Sequence, residues 1–213
     1  SQKDNKELLL TLLTDTFLPL KDDSTRPQLR KKLHLPDTGR LFLYSGPLIS
    51  RKNVEYLIDT FKTSSQHNNY LIVLGSGPRG SQLHRRANKH PRIIFRDAVD
   101  DVRPYLQVAD YFVSASFDEG LPNSVLEALA AGVPVILSSI PSHQEIVEHE
   151  PLAGTFFDPH IRSSLSEQIA QLQHEPLSRS LARALACTHF DSSRAAQGYL
   201  ALYKKEMNLV TQV

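Results

Sequence analysis

Tyr111-Phe112-Val113-Ser114-Ala115-Ser116-Phe117-Asp118-Glu119-Gly120-Leu121-Pro122-Asn123-Ser124-Val125-Leu126-Glu127-Ala128-Leu129-Ala130-Ala131-Gly132-Val133-Pro134-Val135-Ile136-Leu137 runs from one apolar burst to another through a helical middle. The bursts, Tyr111 to Val113 and Val133 to Leu137, are rich in aromatic and β-branched residues, which favour strands. Neither alternates apolar with polar, so each predicts a strand buried on both faces, as in a parallel sheet covered by helices. Asn123 to Ala131 reads as the helix between them. The whole is one strand–helix–strand unit, and it predicts an α/β fold.

The alternation continues in both directions. Towards the N-terminus, Leu41 to Tyr44, Tyr70 to Leu74 and Arg92 to Phe95 read as strands. Helical spacing separates them over Val54 to Phe61, Ser81 to Lys89 and Val102 to Val108. Towards the C-terminus come a helix around Ser142 to His149, a sixth strand over Gly154 to Phe157, and helices over Ser163 to Gln173, Leu177 to Cys187 and Ser193 to Met207. Six such strands with right-handed crossovers make a doubly wound parallel sheet, a Rossmann-like domain. Residues 41–190 form that domain, 1–40 a lead-in with one short helix (Gln28 to Leu33), and 191–213 a C-terminal helix. Sheets of this kind bind ligands outside the carboxyl ends of their strands, so chemistry is expected in the loops after Ser45, Leu74, Phe95, Ser114 and Leu137.

Composition narrows the function. The 213 residues are 40% hydrophobic and 22% charged, which is ordinary globular usage. With 24 Lys+Arg against 23 Asp+Glu, no broad positive field exists to hold nucleic acid. The single cysteine, Cys187, excludes an internal disulfide and a cysteine-based zinc knuckle, and it reads as a buried structural thiol. No His-x-x-x-His pair with an acid between is present, so no metal site is expected. No apolar run approaches the roughly 18 residues that a membrane span requires.

Three loops carry candidate chemistry. Gly75-Ser76-Gly77-Pro78-Arg79-Gly80 fits G-x-G-x-x-G between a strand and a helix, with Asp97 about twenty residues on. That is a dinucleotide-binding pattern, although it lies on the second strand–helix unit and Pro78 removes one amide. Gly46-Pro47-Leu48-Ile49-Ser50-Arg51-Lys52-Asn53 places Arg51 and Lys52 just before a helix, where cations and free amides attract the same anion. Two solvated charges at a helix start would look the same in isolation. The third loop is the quoted one. Gly120 loosens the backbone at a strand end, and Pro122 suits an early helix position. Glu119 lies in the loop, and Glu127 lies eight residues further on in an otherwise apolar helix. An acid there is costly unless it finds a partner. Carboxylates accept two hydrogen bonds side by side, which suits vicinal hydroxyls.

This loop resembles the E-x7-E signature of the retaining, family 4 glycosyltransferases with the GT-B fold. The chain is similar to their C-terminal, nucleotide-sugar-binding half over roughly residues 14–205. Asp15 to Pro19, Gly46 to Asn53, Gly75 to Pro78, Asp100 to Asp110, Glu145 to Val147 and Gly154 to Pro159 match the family's segments in order. Two positions depart from it: Pro47, where relatives commonly carry Arg, and Asp97, where many carry Gly.

The resemblance implies roles. Lys52, assisted by Arg51, neutralises the donor diphosphate in the loop opened by Gly46. Glu119 holds hydroxyls of the transferred sugar, and Glu127 those of the ribose. The backbone of Gly120, Leu121 and Pro122, with Asn123 and Ser124, meets sugar and phosphate. Phe95 and Arg96 lie by the base. Glu119 and Lys52 are the catalytic candidates. The implied donor is a nucleoside diphosphate sugar, UDP or GDP, with no cofactor and no metal. The implied reaction is hexosyl transfer in polysaccharide, lipopolysaccharide or glycolipid synthesis. It needs an N-terminal acceptor domain that nothing here resembles, so the chain alone is expected to be inactive. The implied setting is cytoplasmic, with any peripheral membrane contact made through that other half. The alternatives are half of a nucleotide-sugar epimerase on the same fold, or a non-catalytic nucleotide-binding module.

Overall fold

The computed structural model describes residues 14–172 and 177–189. Six strands lie in one parallel sheet: β1 (Arg40–Ser45), β2 (Asn69–Leu74), β3 (Ile93–Arg96), β4 (Tyr111–Ser114), β5 (Val135–Ser138) and β6 (Gly154–Phe157). Their order is β3-β2-β1-β4-β5-β6, the doubly wound arrangement. Register is continuous, with Leu43 opposite Ile72 on one side and Phe112 on the other, and Ile136 opposite Val113 and Thr155.

Side chains alternate across each strand, so the apolar bursts feed two cores. Leu41, Leu43, Ile72, Leu74, Phe112, Val135 and Leu137 enter one. Phe42, Tyr44, Leu71, Val73, Tyr111, Val113 and Ile136 enter the other. Each fully buried Leu, Ile, Val or Phe contributes about 1.5–3 kcal/mol, so helices must cover both faces. One cover is α1 (Arg26–Lys32), α4 (Arg103–Val108), α5 (Asn123–Ala130), α6 (Pro141–Val147) and α8 (Arg179–His189). The other is α2 (Val54–Thr63), α3 (Gly80–Ala87) and α7 (Ser164–Gln171).

The expected elements are found, with ends that differ for local reasons. Helix α3 stops at Ala87 because Asn88 and Lys89 both take left-handed backbone (φ 50° and 52°). Strand β5 starts at Val135, since the Val133 amide still donates to Ala128 O of α5. Pro122 is not inside its helix; it caps α5, which begins at Asn123. Cys187 is half-buried rather than buried, because α8 turns Ala182, Leu185 and Ala186 inward and leaves residue 187 beside that stripe. The expected helix over Ser193 to Met207 lies outside the described residues.

The lead-in is fastened to the sheet. Arg26 and Arg30 of α1 each reach Asp110 at 3.0 Å, and the same carboxylate accepts from the Leu41 amide at the start of β1. Arg183 of α8 donates to the carbonyls of Thr14, Phe17 and Ala130, tying both ends of the described chain to α5.

Candidate functional site

Strands β1 and β4 are neighbours, yet the chain leaves them towards opposite faces of the sheet. The loops that follow therefore diverge and open a crevice at the carboxyl ends, the topological switch point. One bond stitches the two loops, from the Phe117 amide to Arg51 O at 3.0 Å. A short 3-10 turn, Ser50–Lys52, presents Arg51 and Lys52. It ends in buried Asn53, whose left-handed backbone (φ 50°) starts α2; Asn tolerates that conformation better than most residues.

The charges of the two loops meet on one carboxylate. Glu119 accepts from Lys52 Nζ, from Arg51 Nη1 at 3.0 Å and from Ser116 Oγ at 2.7 Å. Arg51 Nη1 also donates to Asp118 O at 2.6 Å. Side-chain exposure is 6% for Glu119, 12% for Lys52 and 44% for Arg51, so Lys52 is the inner cation and Arg51 the outer. Burial pushes the Glu119 carboxyl up. The hydrogen bonds from Lys52 and Ser116, with both nearby cations, outweigh it and hold the carboxyl below the usual range. Sequence reasoning placed Lys52, Arg51 and Glu119 in one site, and the structure brings them into contact. It missed Ser116, whose hydroxyl comes back to Glu119 three residues later in the same loop.

Glu127 has the opposite environment. Among the described residues, no hydrogen bond or ion pair reaches its carboxylate, and burial alone raises it to about 7. Gly120, Leu121 and Ser124 have amides for which the described residues supply no acceptor, whereas the Asn123 amide donates to Leu121 O at 2.9 Å. A Cβ added at Gly120 would meet nothing within 4 Å, so packing within the chain does not require glycine there.

The glycine-rich turn after β2 is occupied by the chain itself. Leu48 N donates to Ser76 O and Arg79 N to Leu48 O, both at 3.0 Å. A Cβ at Gly75 would stand 2.0 Å from Gly46 O, and one at Gly77 would stand 2.6 Å from Leu48 O. These glycines let two backbones approach one another, and the β1 loop fills the place a pyrophosphate would take. The dinucleotide reading of this turn is therefore set aside. Asp97 is exposed, and the amide of the next residue, Ala98, donates to Ser76 Oγ of the turn at 3.3 Å.

A cavity of about 280 Å³ opens beside the turn, between Gly46, Pro47, Gly75, Ser76, Ala98 and Val99. Phe95 and Arg96 do not line it. Phe95 stacks on His84 of α3 with ring centroids 3.9 Å apart, and Arg96 donates to Leu33 O and His34 O behind α1. Strand pleat sends these two side chains to the two faces of the sheet; only the loop beyond them turns over its end. Tyr44, buried under the β1 loop, donates to Pro47 O at 2.9 Å and holds the backbone of the loop there.

A parallel sheet in this order, with charged side chains collected at the switch point, is a Rossmann-like domain of the kind found in glycosyltransferases with the GT-B fold. Residues 25–186 match the glycosyl transferases group 1, and the chain belongs to that family. It is 32% identical over 159 residues to a putative teichuronic acid biosynthesis glycosyltransferase of Bacillus subtilis, covering 73% of this chain and 39% of the relative. It is also 32% identical over 178 residues to an O-antigen biosynthesis glycosyltransferase of Escherichia coli, covering 82% and 49%. The Anabaena protein HepE, solved in complex with UDP, shares the fold at a TM-score of 0.75 and 21% identity, over 87% of this chain and 54% of that one. The chain thus spans at most about half the length of these proteins. No described helix is long and apolar enough to cross a membrane.

Proposed function

We propose that this chain is the donor-binding, C-terminal half of a retaining family 4 hexosyltransferase in polysaccharide, lipopolysaccharide or glycolipid synthesis. The observation that carries the reading is Glu127: a half-buried carboxylate, without a partner among the described residues, in the helix that starts at the switch point. No group of the described chain satisfies it, and the vicinal hydroxyls of a ribose fit it. The diphosphate then meets Lys52 and Arg51, with the amides of Gly120, Leu121 and Ser124 facing sugar and phosphate oxygens. The base enters the cavity lined by Ala98 and Val99.

Donor binding on this reading is an exchange. Lys52 and Arg51 leave Glu119 for the diphosphate, and Glu119 turns its freed lone pairs to hydroxyls of the sugar. In the reaction the bond between the anomeric carbon and the diphosphate oxygen breaks, an acceptor hydroxyl oxygen bonds to that carbon on the same face, and the hydroxyl proton passes to the departing diphosphate oxygen. Lys52 and Arg51 hold the negative charge that gathers on the leaving diphosphate, doing with fixed cations what a metal does elsewhere, so no cofactor is needed. Glu119 positions the sugar and is not a nucleophile. The names of the two bacterial relatives support a cell-envelope polysaccharide or glycolipid as product. The acceptor site belongs to a further, N-terminal domain, through which the cytoplasmic enzyme would touch the membrane. Transfer by the 213-residue chain alone is not expected.

The test is a titration of the chain with UDP, GDP, ADP and NAD, beside Glu127→Ala and Lys52→Ala. Saturable binding of one nucleoside diphosphate, weakened by both substitutions, is the expected result. Binding of NAD alone, indifferent to Glu127, would overturn it.

A further inference from the structure

We infer that His143, in α6 and far from Glu119 in sequence, is a positioning residue for the Glu119 carboxylate; this rests on the donor-site reading above. His143 is wholly buried among apolar neighbours of its helix, Ile146 and Val147. Its Nδ1 lies 2.9 Å from Ser138 O and 3.2 Å from Ser138 Oγ. A carbonyl can only accept, so Nδ1 carries the proton and donates to Ser138. Nε2 is then a bare acceptor, and it is buried without a partner among the described residues. A leucine would fill this space without that penalty, so packing alone does not explain an imidazole here.

What the imidazole does is anchor the backbone from which the Glu119 loop departs. The Ser138 hydroxyl donates to Ser116 O at 2.6 Å, which leaves its own oxygen to accept from His143. The Ser116 hydroxyl donates to Glu119 at 2.7 Å, so in its 3.2 Å contact with Ser114 Oγ the Ser114 hydroxyl is the donor. Ser114, Ser116 and Ser138 are all buried, out of reach of competing water. The Ser138 hydroxyl ends on the Ser116 carbonyl and the Ser116 hydroxyl on Glu119, so the link between them is the backbone of residue 116. This series of contacts crosses from α6 through the end of β5 to the loop after β4. It holds the Ser116 carbonyl, and so fixes the backbone from which the Ser116 hydroxyl reaches Glu119. Burial lowers the basicity of the ring, which keeps it neutral and Nδ1–H directed at Ser138.

The experiment compares His143→Leu, His143→Asn and Ser138→Ala in the full chain. The Asn amide places an N–H where Nδ1 stands; Leu does not. Each variant is titrated with matched pairs: UDP and UDP-glucose, GDP and GDP-mannose, ADP and ADP-glucose. The quantity read is the ratio of sugar-nucleotide affinity to nucleoside diphosphate affinity, because Glu119 meets only the sugar. The expected result is a ratio lowered roughly fivefold in His143→Leu and Ser138→Ala, and restored to within about twofold in His143→Asn. Equal loss for both members of a pair, an unchanged ratio in Ser138→Ala, or an Asn variant as poor as Leu would overturn the inference while leaving the donor site standing. Should His143→Leu not fold, Ser138→Ala decides by the same ratio. Failure of the wild-type chain to bind any pair would overturn the donor-site reading itself, and this inference with it.

Discussion

Replacing Glu127 with Gln should make the protein more stable and a worse binder, and pH separates the two effects. Burial raises the Glu127 carboxyl from an ordinary 4.5 to about 7. The folded state therefore holds this proton more tightly than the unfolded state does. Below pH 4.5 both states are protonated, and the group adds no penalty. As pH rises from 4.5 to 7, the unfolded chain gains by ionising and the folded chain does not, so stability falls. Above 7 the whole penalty is present, at most about 3 kcal/mol for a shift of this size. Glu127→Gln removes the titration. In denaturant melts the variant should exceed the wild type by up to about 3 kcal/mol at pH 8, a gain that shrinks steadily towards pH 4.5. Binding runs the other way. Ribose hydroxyls donate to the ionised carboxylate, whose population falls from about nine-tenths at pH 8 to about one-tenth at pH 6, so affinity should drop roughly tenfold. A nucleotide sugar is the ligand to use, because its diphosphate has no proton to gain in that range, whereas a free nucleoside diphosphate does. Glu127→Gln should bind weakly at both pH values. An affinity that is flat from pH 8 to 6, or a variant no more stable at pH 8 than at pH 5, would refute the assignment.

Two further outcomes test the neighbouring groups. Glu119→Gln frees Lys52 and Arg51, so affinity for a bare nucleoside diphosphate should rise by roughly fivefold or more while the advantage of the attached sugar is lost; calorimetry with both ligands reads this directly. Gly77→Ala drives a methyl group to 2.6 Å from Leu48 O, a backbone atom that cannot step aside, and should destabilise the fold by about 1–3 kcal/mol in thermal melts without creating or removing NAD binding.

The fold was legible because each strand is an uninterrupted apolar burst, and only a sheet buried on both faces accommodates six of them. The loops were legible because charges stood at strand ends. Three things were not. Gly75 and Gly77 carry the letters of a phosphate cradle, but glycine answers any close backbone approach, and here the partner is the chain's own β1 loop. Phe95 and Arg96 sit at a strand end in sequence, but the pleat turns them onto the two faces of the sheet and leaves Ala98 and Val99 at the cavity. Ser116, Ser138 and His143 are ordinary residues in a loop, at a strand end and in a helix, and only pairing β4 with β5 brings their hydrogen bonds together.

The two acids of the β4 loop and its helix make the same point about chemistry. Glu119 and Glu127 are one residue type eight positions apart, and the fold drives their acidities in opposite directions. Glu119 is already satisfied by Lys52, Arg51 and Ser116, so any ligand must compete with those partners for it. Glu127 has no such partner among the described residues, so a ligand has only to arrive. Binding should then be ordered in energy if not in time. On the proposed reading, the nucleoside gains at Glu127 without breaking a bond in the protein. On the same reading the diphosphate and sugar gain directly at the Gly120, Leu121 and Ser124 amides but at Glu119 only by exchange, since each cation that leaves Glu119 must find a phosphate and Glu119 must find hydroxyls in return. A diphosphate without its sugar completes half of that exchange and strands Glu119, which favours release of the spent nucleotide over retention of it.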